Sequence, residues 1–221
     1  MGAHLVAFLV LPLAAYLLGS IPFGLLIGLA QGVDVRHRGS GNIGATNVWR
    51  TLGSRWGVLC FVLDVLKGLA AVAGAGVYLR QAYPAGADGL IGPVGQLAWI
   101  SVGAGSILGH MFSVYLRFAG GKGVATSFGV LVGIWPYFTL AAAGATAIWV
   151  AVWGVWRYVS AASLAAAAGF PVVFGLLIWR VNDWRLETLW PLLVFSCLTG
   201  GLVIVRHQSN IRRLLAGTEE K

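Results

Sequence analysis

Charged residues are scarce in this sequence, and acidic residues are the scarcest of them. Of 221 residues, 10% are charged and 7 are Asp or Glu, whereas 58% are hydrophobic. Soluble domains carry about 25% charged residues, so this composition excludes an ordinary soluble protein and indicates a polytopic membrane protein. The 15 Lys and Arg residues indicate cytoplasmic anchoring of the loops. The sequence contains no basic and aromatic surface motif that would suggest nucleic-acid binding.

Cysteine is also rare, and a nucleotide-binding loop is missing. Cys60 and Cys197 lie inside apolar runs, which predicts buried thiols rather than a disulfide or a metal site. We expect no cofactor and no metal, because no metal-ligand spacing occurs. The glycine-rich segment around Lys122 is not a Walker A loop, because Leu116 stands where that motif needs Gly and Gly123 where it needs Ser or Thr.

Long apolar runs predict an all-α integral membrane protein with seven transmembrane helices in one polytopic domain, residues 1–221. A helix needs about 20 apolar residues to cross a bilayer. The first run contains the segment 19–22 (GSIP), which predicts a kink or break in that helix. The predicted spans are residues 5–30, 57–79, 92–108, 124–134, 137–153, 160–179 and 189–205.

The number of spans depends on residues 124–153, which form either two helices or one long kinked helix. The basic residues decide between these alternatives. With seven spans, 11 Lys and Arg residues fall on one side, 3 (Arg80, Arg180 and Arg185) fall on the other, and Lys67 lies within a span. This bias is expected of a cytoplasmic face. We therefore predict an N-terminus outside the cell and a C-terminus in the cytoplasm.

Three polar windows, at about residues 31–56, 109–126 and 206–221, fall on the predicted cytoplasmic face. The first window combines glycines, hydroxyls, amides and arginines with almost no acid. The backbone N–H groups of the glycines and the small polar side chains can surround an anion, and an arginine can add a bidentate pair of hydrogen bonds. The alternative is a basic loop that only sets the topology. The candidate side chains are Ser40, Asn42, Thr46, Asn47 and Arg50.

The second window places Lys122 among the glycines Gly120, Gly121 and Gly123. Small residues let the backbone approach a ligand, and the lysine adds a point charge suited to phosphate. The alternative is a glycine-rich turn with one lysine at the lipid headgroup boundary. His110, at the end of a span, is either an interfacial histidine or a catalytic one.

The third window leaves the last span as a short amphipathic helix. His207 and Asn210 are three residues apart and therefore share a helix face. The alternative is a basic membrane anchor. Asp64 and Lys67 in the second span are also three residues apart. Because charge inside a membrane is costly unless paired, they predict either a structural ion pair or a wall of the polar site.

In order and spacing, these segments resemble the bacterial membrane glycerol-3-phosphate acyltransferases that use acyl phosphate, the PlsY family. The resemblance covers nearly the whole chain. The family usually has Pro where Ser113 stands and a basic residue where Ala119 stands, and Arg117 can replace that charge. The matching segments are residues 19–24, 39–47 with Arg50, 64–68, 109–110, 120–126 and 207–219.

The resemblance implies an enzyme that transfers a fatty acyl group from acyl phosphate to the 1-hydroxyl of sn-glycerol 3-phosphate. We expect direct transfer without an acyl-enzyme, because acyl phosphate is an activated mixed anhydride. We also expect an active site at the cytoplasmic face of the bacterial inner membrane and a protein that is functional as a monomer. Membrane lipid and the two substrates would be its partners. No His-x4-Asp pattern of the acyltransferases that depend on coenzyme A or acyl carrier protein occurs.

The resemblance also assigns roles to individual residues. Those expected to bind glycerol 3-phosphate are Ser40, Arg50, Lys122, His207 and Asn210. Those expected to contact the acyl-phosphate head are Asn42, Gly44, Thr46 and Gly121, with Glu219 orienting polar groups. Asn47, His110, Gly120 and Gly123 complete the expected substrate-binding set. The catalytic candidates are His207, Lys122 and Arg50, and either the substrate phosphate or His207 accepts the proton.

Two rival classes explain part of the same sequence. A transporter for phosphorylated solutes would have several spans and an anion site, but it would place polar residues near the membrane midplane. A lipid-binding scaffold gives no reason for the glycine-flanked Lys122. The position of the polar windows at one predicted face favours an interfacial enzyme over both.

Overall fold

The described residues, 2–86 and 89–220 of the computed structural model, are helical except for turns, loops and one antiparallel bridge between Ala85 and Ile91. This confirms the predicted all-α class. Lys221, in the third window, lies outside the described residues. The helices are α1 (Gly2–Leu5), α2 (Leu11–Gly19), α3 (Phe23–Ala30), α4 (Ala45–Leu52), α5 (Ser54–Ala82), α6 (Pro93–Met111), α7 (Val124–Gly133), α8 (Tyr137–Trp156), α9 (Val159–Arg180), α10 (Leu186–Arg206) and α11 (Gln208–Leu215).

Six helical segments of the described chain are long and apolar enough to cross a membrane. They are Gly2–Ala30, Ser54–Ala82, Pro93–Leu116, Tyr137–Trp156, Val159–Arg180 and Leu186–Arg206. Helix α7 is separate from α8 and has 10 residues, so at 1.5 Å per residue it covers about half of the hydrocarbon core. Residues 124–153 thus form two helices, while seven crossings and the orientation of the termini stay predictions.

Single cysteines will test the predicted topology. Ser54 and Thr218 are exposed near the ends of predicted cytoplasmic segments, and Asn182 is exposed in a predicted outer loop. In a Cys197→Ala background, we expect cysteines at positions 54 and 218 to react with an impermeant maleimide from the cytoplasmic side. A cysteine at position 182 should react from outside, because the basic loops are retained in the cytoplasm. Labelling of positions 54 and 218 from opposite sides would refute the seven-span topology.

The chain divides into two compact units. The first comprises Met1–Val77 and Ser101–Gly133, and the second comprises Tyr78–Ile100 and Ile134–Lys221. In the first unit, a buried apolar cluster packs α3, the segment before α4, and α4 against Cys60 of α5. In the second unit, the Phe138 ring of α8 packs against Phe170 and Phe174 of α9 and Phe195 of α10, with ring centroids 4.9–6.2 Å apart.

The predicted break in the first span is present between α2 and α3. Pro22 lacks an N–H group and cannot continue the helical hydrogen bonds, so carbonyls near it need other donors. The Ser113 hydroxyl donates to the Ser20 carbonyl at 2.6 Å, and the Lys67 ammonium donates to the Ile21 carbonyl at 2.8 Å. Polar side chains from α5 and from the segment after α6 therefore stabilise this break.

The two cysteines differ in burial. Cys60 is buried as predicted, but Cys197 is exposed, so the prediction of two buried thiols was wrong for Cys197. Both residues lie in apolar helices, and such a helix in a membrane exposes one apolar face to lipid. Sequence composition alone does not distinguish that face from the packed one.

Candidate active site

The Asn47 side chain organises the loop of the first window. Its amide nitrogen donates to the carbonyls of Val35, Arg38 and Asn42 at 2.8–3.1 Å, and its amide oxygen accepts from the Ser40 N–H at 2.9 Å. Asn47 is 2% exposed. A single buried side chain thus satisfies backbone groups at four points of the loop, which fixes the loop's shape.

Gly39 is required for this arrangement on two grounds. Its φ of +54° lies in the left-handed region that non-glycine residues rarely adopt. A Cβ atom at this position would also overlap the Asn47 amide oxygen. The glycine therefore lets the loop backbone close over the Asn47 side chain.

The loop and helix α4 leave polar side chains exposed. Ser40, Thr46 and Arg50 are exposed, and Thr46 and Arg50 are four residues apart on one face of α4. Gly44 precedes the first turn of α4, and its N–H donates to the Asn42 side chain at 2.8 Å. The first turn of a helix offers N–H groups and a positive dipole end, which suit an anion.

Asp34, the one acidic residue between positions 31 and 56, is compensated by a neighbouring arginine. The Arg36 guanidinium lies 2.6 Å from the Asp34 carboxylate, and the Arg36 N–H also donates to it at 3.0 Å. These hydrogen bonds lower the pKa of Asp34 to about 2. The carboxylate therefore stays ionised and paired at neutral pH and adds no net negative charge to the loop.

Helix α5 connects the first window to the second within the first unit. The Cys60 thiol lies 3.9 Å from the Ile43 carbonyl and 3.7 Å from the Asp64 carboxylate, one helical turn further along α5. Asp64 in turn pairs with Lys67 at 2.8 Å. Contacts along one side of α5 thus run from the first-window loop to a buried ion pair.

Asp64, Lys67 and His110 form a buried cluster, and each is less than 5% exposed. The Lys67 ammonium lies 3.0 Å from His110 Nδ1, and His110 Nδ1 lies 3.6 Å from the Asp64 carboxylate. The predicted pairing of Asp64 with Lys67 is confirmed. His110 proves to be a buried partner of that pair rather than an exposed interfacial histidine.

The glycine loop of the second window packs directly on His110. The Gly121 N–H donates to the His110 carbonyl at 3.1 Å. A Cβ atom at Gly120 would overlap that carbonyl, and a Cβ atom at Gly121 would overlap His110 Nε2. The glycines therefore permit a close approach of backbone to imidazole. Lys122 follows as a partly buried residue, immediately before Gly123 with its φ of +82°.

The third window, in the second unit, brings Asn210, Arg213 and Glu219 into one connected group, with His207 buried one helical turn before Asn210. Asn210 donates to the Glu219 carboxylate at 2.6 Å, and Arg213 Nε donates to its other oxygen at 2.7 Å. His207 and Asn210 are 3% and 5% exposed. His207 Nδ1 lies 2.7 Å from the Val203 carbonyl, a contact that places the hydrogen on Nδ1.

Glu219 stays ionised at neutral pH. Partial burial raises the pKa of Glu219, but donors from Ser160, Asn210 and Arg213 lower it by more, so the net shift is downward. The buried Ser160 hydroxyl, at the start of α9, lowers the pKa of Glu219 by its proximity, although it does not form a well-aligned hydrogen bond. A lowered carboxylate pKa means that these contacts stabilise the fold at neutral pH and are lost as the pH falls through that pKa.

The sequence identified the windows but missed several partners within them. It assigned Asn47 to the substrate, whereas the Asn47 amide bonds to the loop backbone. It gave no role to Arg213 or to Ser160, which contact Glu219 from positions 6 and 59 residues away in the chain. A basic residue six positions before Glu219, the first of the window's two acidic residues, was a usable signal for Arg213. Ser160 had none.

The donors assembled in each unit suit anions. They are backbone N–H groups, hydroxyls, amides and cationic side chains. Within the described ranges, no group of three or more His, Cys, Asp or Glu side chains is arranged to hold a metal ion.

The fold defines an integral helical membrane protein, and the hydrogen-bond donors described above are of types that suit anions. The chain matches the family model for glycerol-3-phosphate acyltransferase over residues 9–217. The chain belongs to the glycerol-3-phosphate acyltransferase family, as its motifs predicted. The enzyme of that name from Trichlorobacter lovleyi is 45% identical over 94% of this chain and 93% of its own length. That from Aquifex aeolicus is 38% identical over 96% and 98%.

Solved structures agree with this assignment. The chain is similar to the crystal structure of PlsY (YgiH), an integral membrane glycerol 3-phosphate acyltransferase, in its glycerol 3-phosphate form. The TM-score is 0.79 at 37% identity, over 96% of this chain and 94% of the other. The lysophosphatidic acid form of the same protein gives a TM-score of 0.76 at the same identity and coverage.

Proposed function

We propose that this protein transfers a fatty acyl group from acyl phosphate to the 1-hydroxyl of sn-glycerol 3-phosphate. The products are lysophosphatidic acid and inorganic phosphate, and the reaction is the first acylation of phospholipid synthesis. The PlsY structures similar to this chain are described as a glycerol 3-phosphate form and a lysophosphatidic acid form. A phosphorylated acyl acceptor and a phosphorylated lipid product suit a chain that has hydrogen-bond donors for anions beside apolar helices.

Direct transfer accounts for the proposed reaction without a protein nucleophile. The glycerol oxygen attacks the acyl carbonyl carbon, and the bond between that carbon and the phosphate oxygen breaks. The hydroxyl proton goes to the departing phosphate, so atoms and charge balance. Acyl phosphate is a mixed anhydride with a good leaving group, and the protein's main task is to position two anionic substrates.

In the first unit, Ser40, Arg50 and Lys122 bind the phosphate of glycerol 3-phosphate in this proposal. Asn42, Gly44, Thr46 and Gly121 contact the acyl-phosphate head. The exposed Ser40 hydroxyl, on the loop whose backbone is bonded to Asn47, and the exposed Thr46 and Arg50 side chains, on α4, support these roles. Asn47, and His110 with Gly120 and Gly123, act mainly by shaping the two loops.

In the second unit, His207 and Asn210 bind glycerol 3-phosphate, and Glu219 orients Asn210. With the hydrogen of the neutral imidazole on Nδ1, His207 Nε2 carries a lone pair. That nitrogen is suited to accept a hydrogen bond, or a proton, from the glycerol hydroxyl. Substrate phosphate is our preferred proton acceptor, and His207 as general base is the alternative.

The proposed location is the bacterial inner membrane, with the polar windows on the cytoplasmic side and the protein active as a monomer. The apolar spans and the basic loops support it. A site beside the ends of the spans would let the acyl chain stay among the apolar helices or in lipid while the phosphate heads react in water-accessible loops.

The single observation that carries the proposal is the first window, in a chain of this family. Its loop is held by Asn47 and presents Ser40, and helix α4 after it presents Thr46 and Arg50. The test is a reaction of the purified protein in detergent with acyl phosphate and glycerol 3-phosphate. We expect phosphate release that depends on both substrates, with formation of lysophosphatidic acid. Phosphate release that needs only one of the two substrates would refute the assignment, and so would the absence of any phosphate release.

Removal of both thiols should leave the reaction intact. Cys60 is buried and faces Asp64, and Cys197 lies on the exposed side of α10. Neither thiol belongs to the exposed donor groups described above. We therefore expect the Cys60→Ala, Cys197→Ala double variant to keep most of its activity in the detergent assay. A trapped acyl thioester, or a folded double variant without activity, would contradict direct transfer.

Acyl phosphate should be the donor that supports turnover. The polar windows offer hydrogen-bond donors that suit a compact phosphate dianion. Nothing in them suggests a pocket for adenine or a docking surface for a carrier protein. We expect acyl-CoA and acyl carrier protein of the same chain length to give no lysophosphatidic acid under conditions in which acyl phosphate does. Comparable rates with acyl-CoA would rule out the proposed donor specificity.

A further inference from the structure

The buried cluster of Asp64, Lys67 and His110 contacts three separate segments of the first unit. Lys67 reaches the Ile21 carbonyl at the break in the first span and His110 Nδ1 at the end of α6, at 2.8 and 3.0 Å. The Lys67 ammonium also lies 2.8 Å from the Asp64 carboxylate, where the two form an ion pair without the alignment of a hydrogen bond. One ammonium thus joins α5, the break before α3, and α6.

The contact with Lys67 indicates the hydrogen position on His110. An ammonium group can only donate hydrogen bonds, so His110 Nδ1 accepts from Lys67 at 3.0 Å. We therefore assign the ring hydrogen to Nε2, the nitrogen that faces Gly121.

His110 transmits this arrangement to the glycine loop. Its carbonyl accepts the Gly121 N–H, and its Nε2 faces the Gly121 Cα so closely that no Cβ atom would fit between them. Lys122 is the next residue. A rotation or displacement of the imidazole would therefore move the loop that carries Lys122.

Stability alone does not explain why an ion pair lies here. Replacing both members of a buried pair with apolar side chains is often neutral or stabilising, whereas removing one member leaves an uncompensated charge. An ionisable group inside a membrane span is by default a candidate for function. We propose that Lys67, held by Asp64, is a positioning residue that fixes His110 and thereby the Gly120–Gly121–Lys122–Gly123 loop.

This inference rests on the proposed function for its effect on rate, but not for its effect on the loop. The test compares Asp64→Leu/Lys67→Met, which removes both charges, with Gln96→Met. Gln96 is a fully buried span residue of the second unit, and its amide nitrogen donates to the Ile91 carbonyl. Both variants lose buried polar groups from a span, so the comparison controls for a general effect of such a loss.

Two measurements are made on each variant. The first is kcat and KM in the acyltransfer assay, together with Tm. The second is the mobility of a nitroxide attached to a cysteine at Ala119, an exposed residue two positions before Gly121, in a Cys197→Ala background. Cys60 is fully buried and does not compete for the label.

We expect the charge-free double variant to fold with a Tm near that of the parent and to lose about tenfold to a hundredfold in kcat. A displacement of about 1 Å at a reacting group causes losses of this order. The nitroxide at position 119 should become more mobile, while Gln96→Met changes neither measurement. If the double variant fails to fold, His110→Gln, which removes the imidazole but no charge, is expected to raise the nitroxide mobility.

A folded double variant with parental kcat and parental nitroxide mobility would overturn the inference and leave a structural ion pair. Unchanged mobility in His110→Gln would overturn it equally. A parent protein inactive in acyltransfer but with the expected mobility changes would refute the proposed function and leave the positioning role standing.

Discussion

Replacement of Asn47 by aspartate is expected to lower kcat/KM by at least about a hundredfold, although the two side chains have nearly the same shape. The amide nitrogen of Asn47 donates to three loop carbonyls, and aspartate would place an acceptor oxygen there. Each buried polar group left without a partner costs about 1–3 kcal/mol. The loop should leave this conformation, and Ser40 and Asn42 would lose their positions.

The matched control is Thr51→Val on the same helix, one turn after Asn47. The Thr51 hydroxyl donates to the Asn47 backbone carbonyl at 2.8 Å and contacts none of the loop carbonyls. We expect this variant to keep its kcat/KM within about threefold, because valine keeps the shape of this half-buried side chain and the lost hydroxyl bonds only helix carbonyls. If Asn47→Asp were as active as Thr51→Val at equal expression, the loop would not depend on the amide, and its part in the site would be refuted.

The sequence was sufficient for features that follow from spacing and from chemical type. Gly-Ser-Ile-Pro at 19–22 predicted the break because proline cannot donate a backbone hydrogen bond. Asp64 and Lys67 predicted an ion pair because residues three apart share a helix face and membranes do not tolerate isolated charges. The glycines around Lys122 predicted a close backbone approach, although the nearest neighbour in the structure is the imidazole of His110.

The sequence was not sufficient for contacts between distant segments. Asn47 looks like a ligand-binding amide, and only the fold of residues 35–42 around it shows that its hydrogen bonds go to the backbone. The role of His110 required Lys67 and Gly121, which lie 43 and 11 residues away. The exposure of Cys197 depends on which face of α10 is packed, and an apolar sequence gives no signal for that.

Ser113 shows how a departure from the family pattern is accommodated. Where the family usually has proline, this chain has a buried serine whose hydroxyl donates to the Ser20 carbonyl at the helix break. A proline could not make that bond, so here a side-chain hydrogen bond connects the segment after α6 to the break. Ala119, the other departure, is exposed, as is Arg117 two positions earlier.

Removal of Arg50 or Lys122 is the second change expected to have a large effect. Arg50 is exposed beside Thr46, and Lys122 follows the glycines packed on His110. The loss of a charge-assisted hydrogen bond to phosphate costs about 1.5–3 kcal/mol, roughly tenfold to a hundredfold in rate or binding. We expect Arg50→Ala and Lys122→Ala each to lose at least that factor in kcat/KM for glycerol 3-phosphate, and Arg50→Lys to lose activity because lysine lacks the planar fork.

Arg185→Ala is the control with an equal change of charge. Arg185 is exposed and precedes α10 on the predicted outer side, where its backbone carbonyl accepts from Thr188 and Leu189 irrespective of its side chain. We expect this variant to be near neutral in kcat/KM at matched expression. The three variants would behave alike if positive charge acted only on insertion or on lipid headgroups. In that case the proposed phosphate site would be wrong, because an effect of site geometry must separate Arg50 and Lys122 from Arg185.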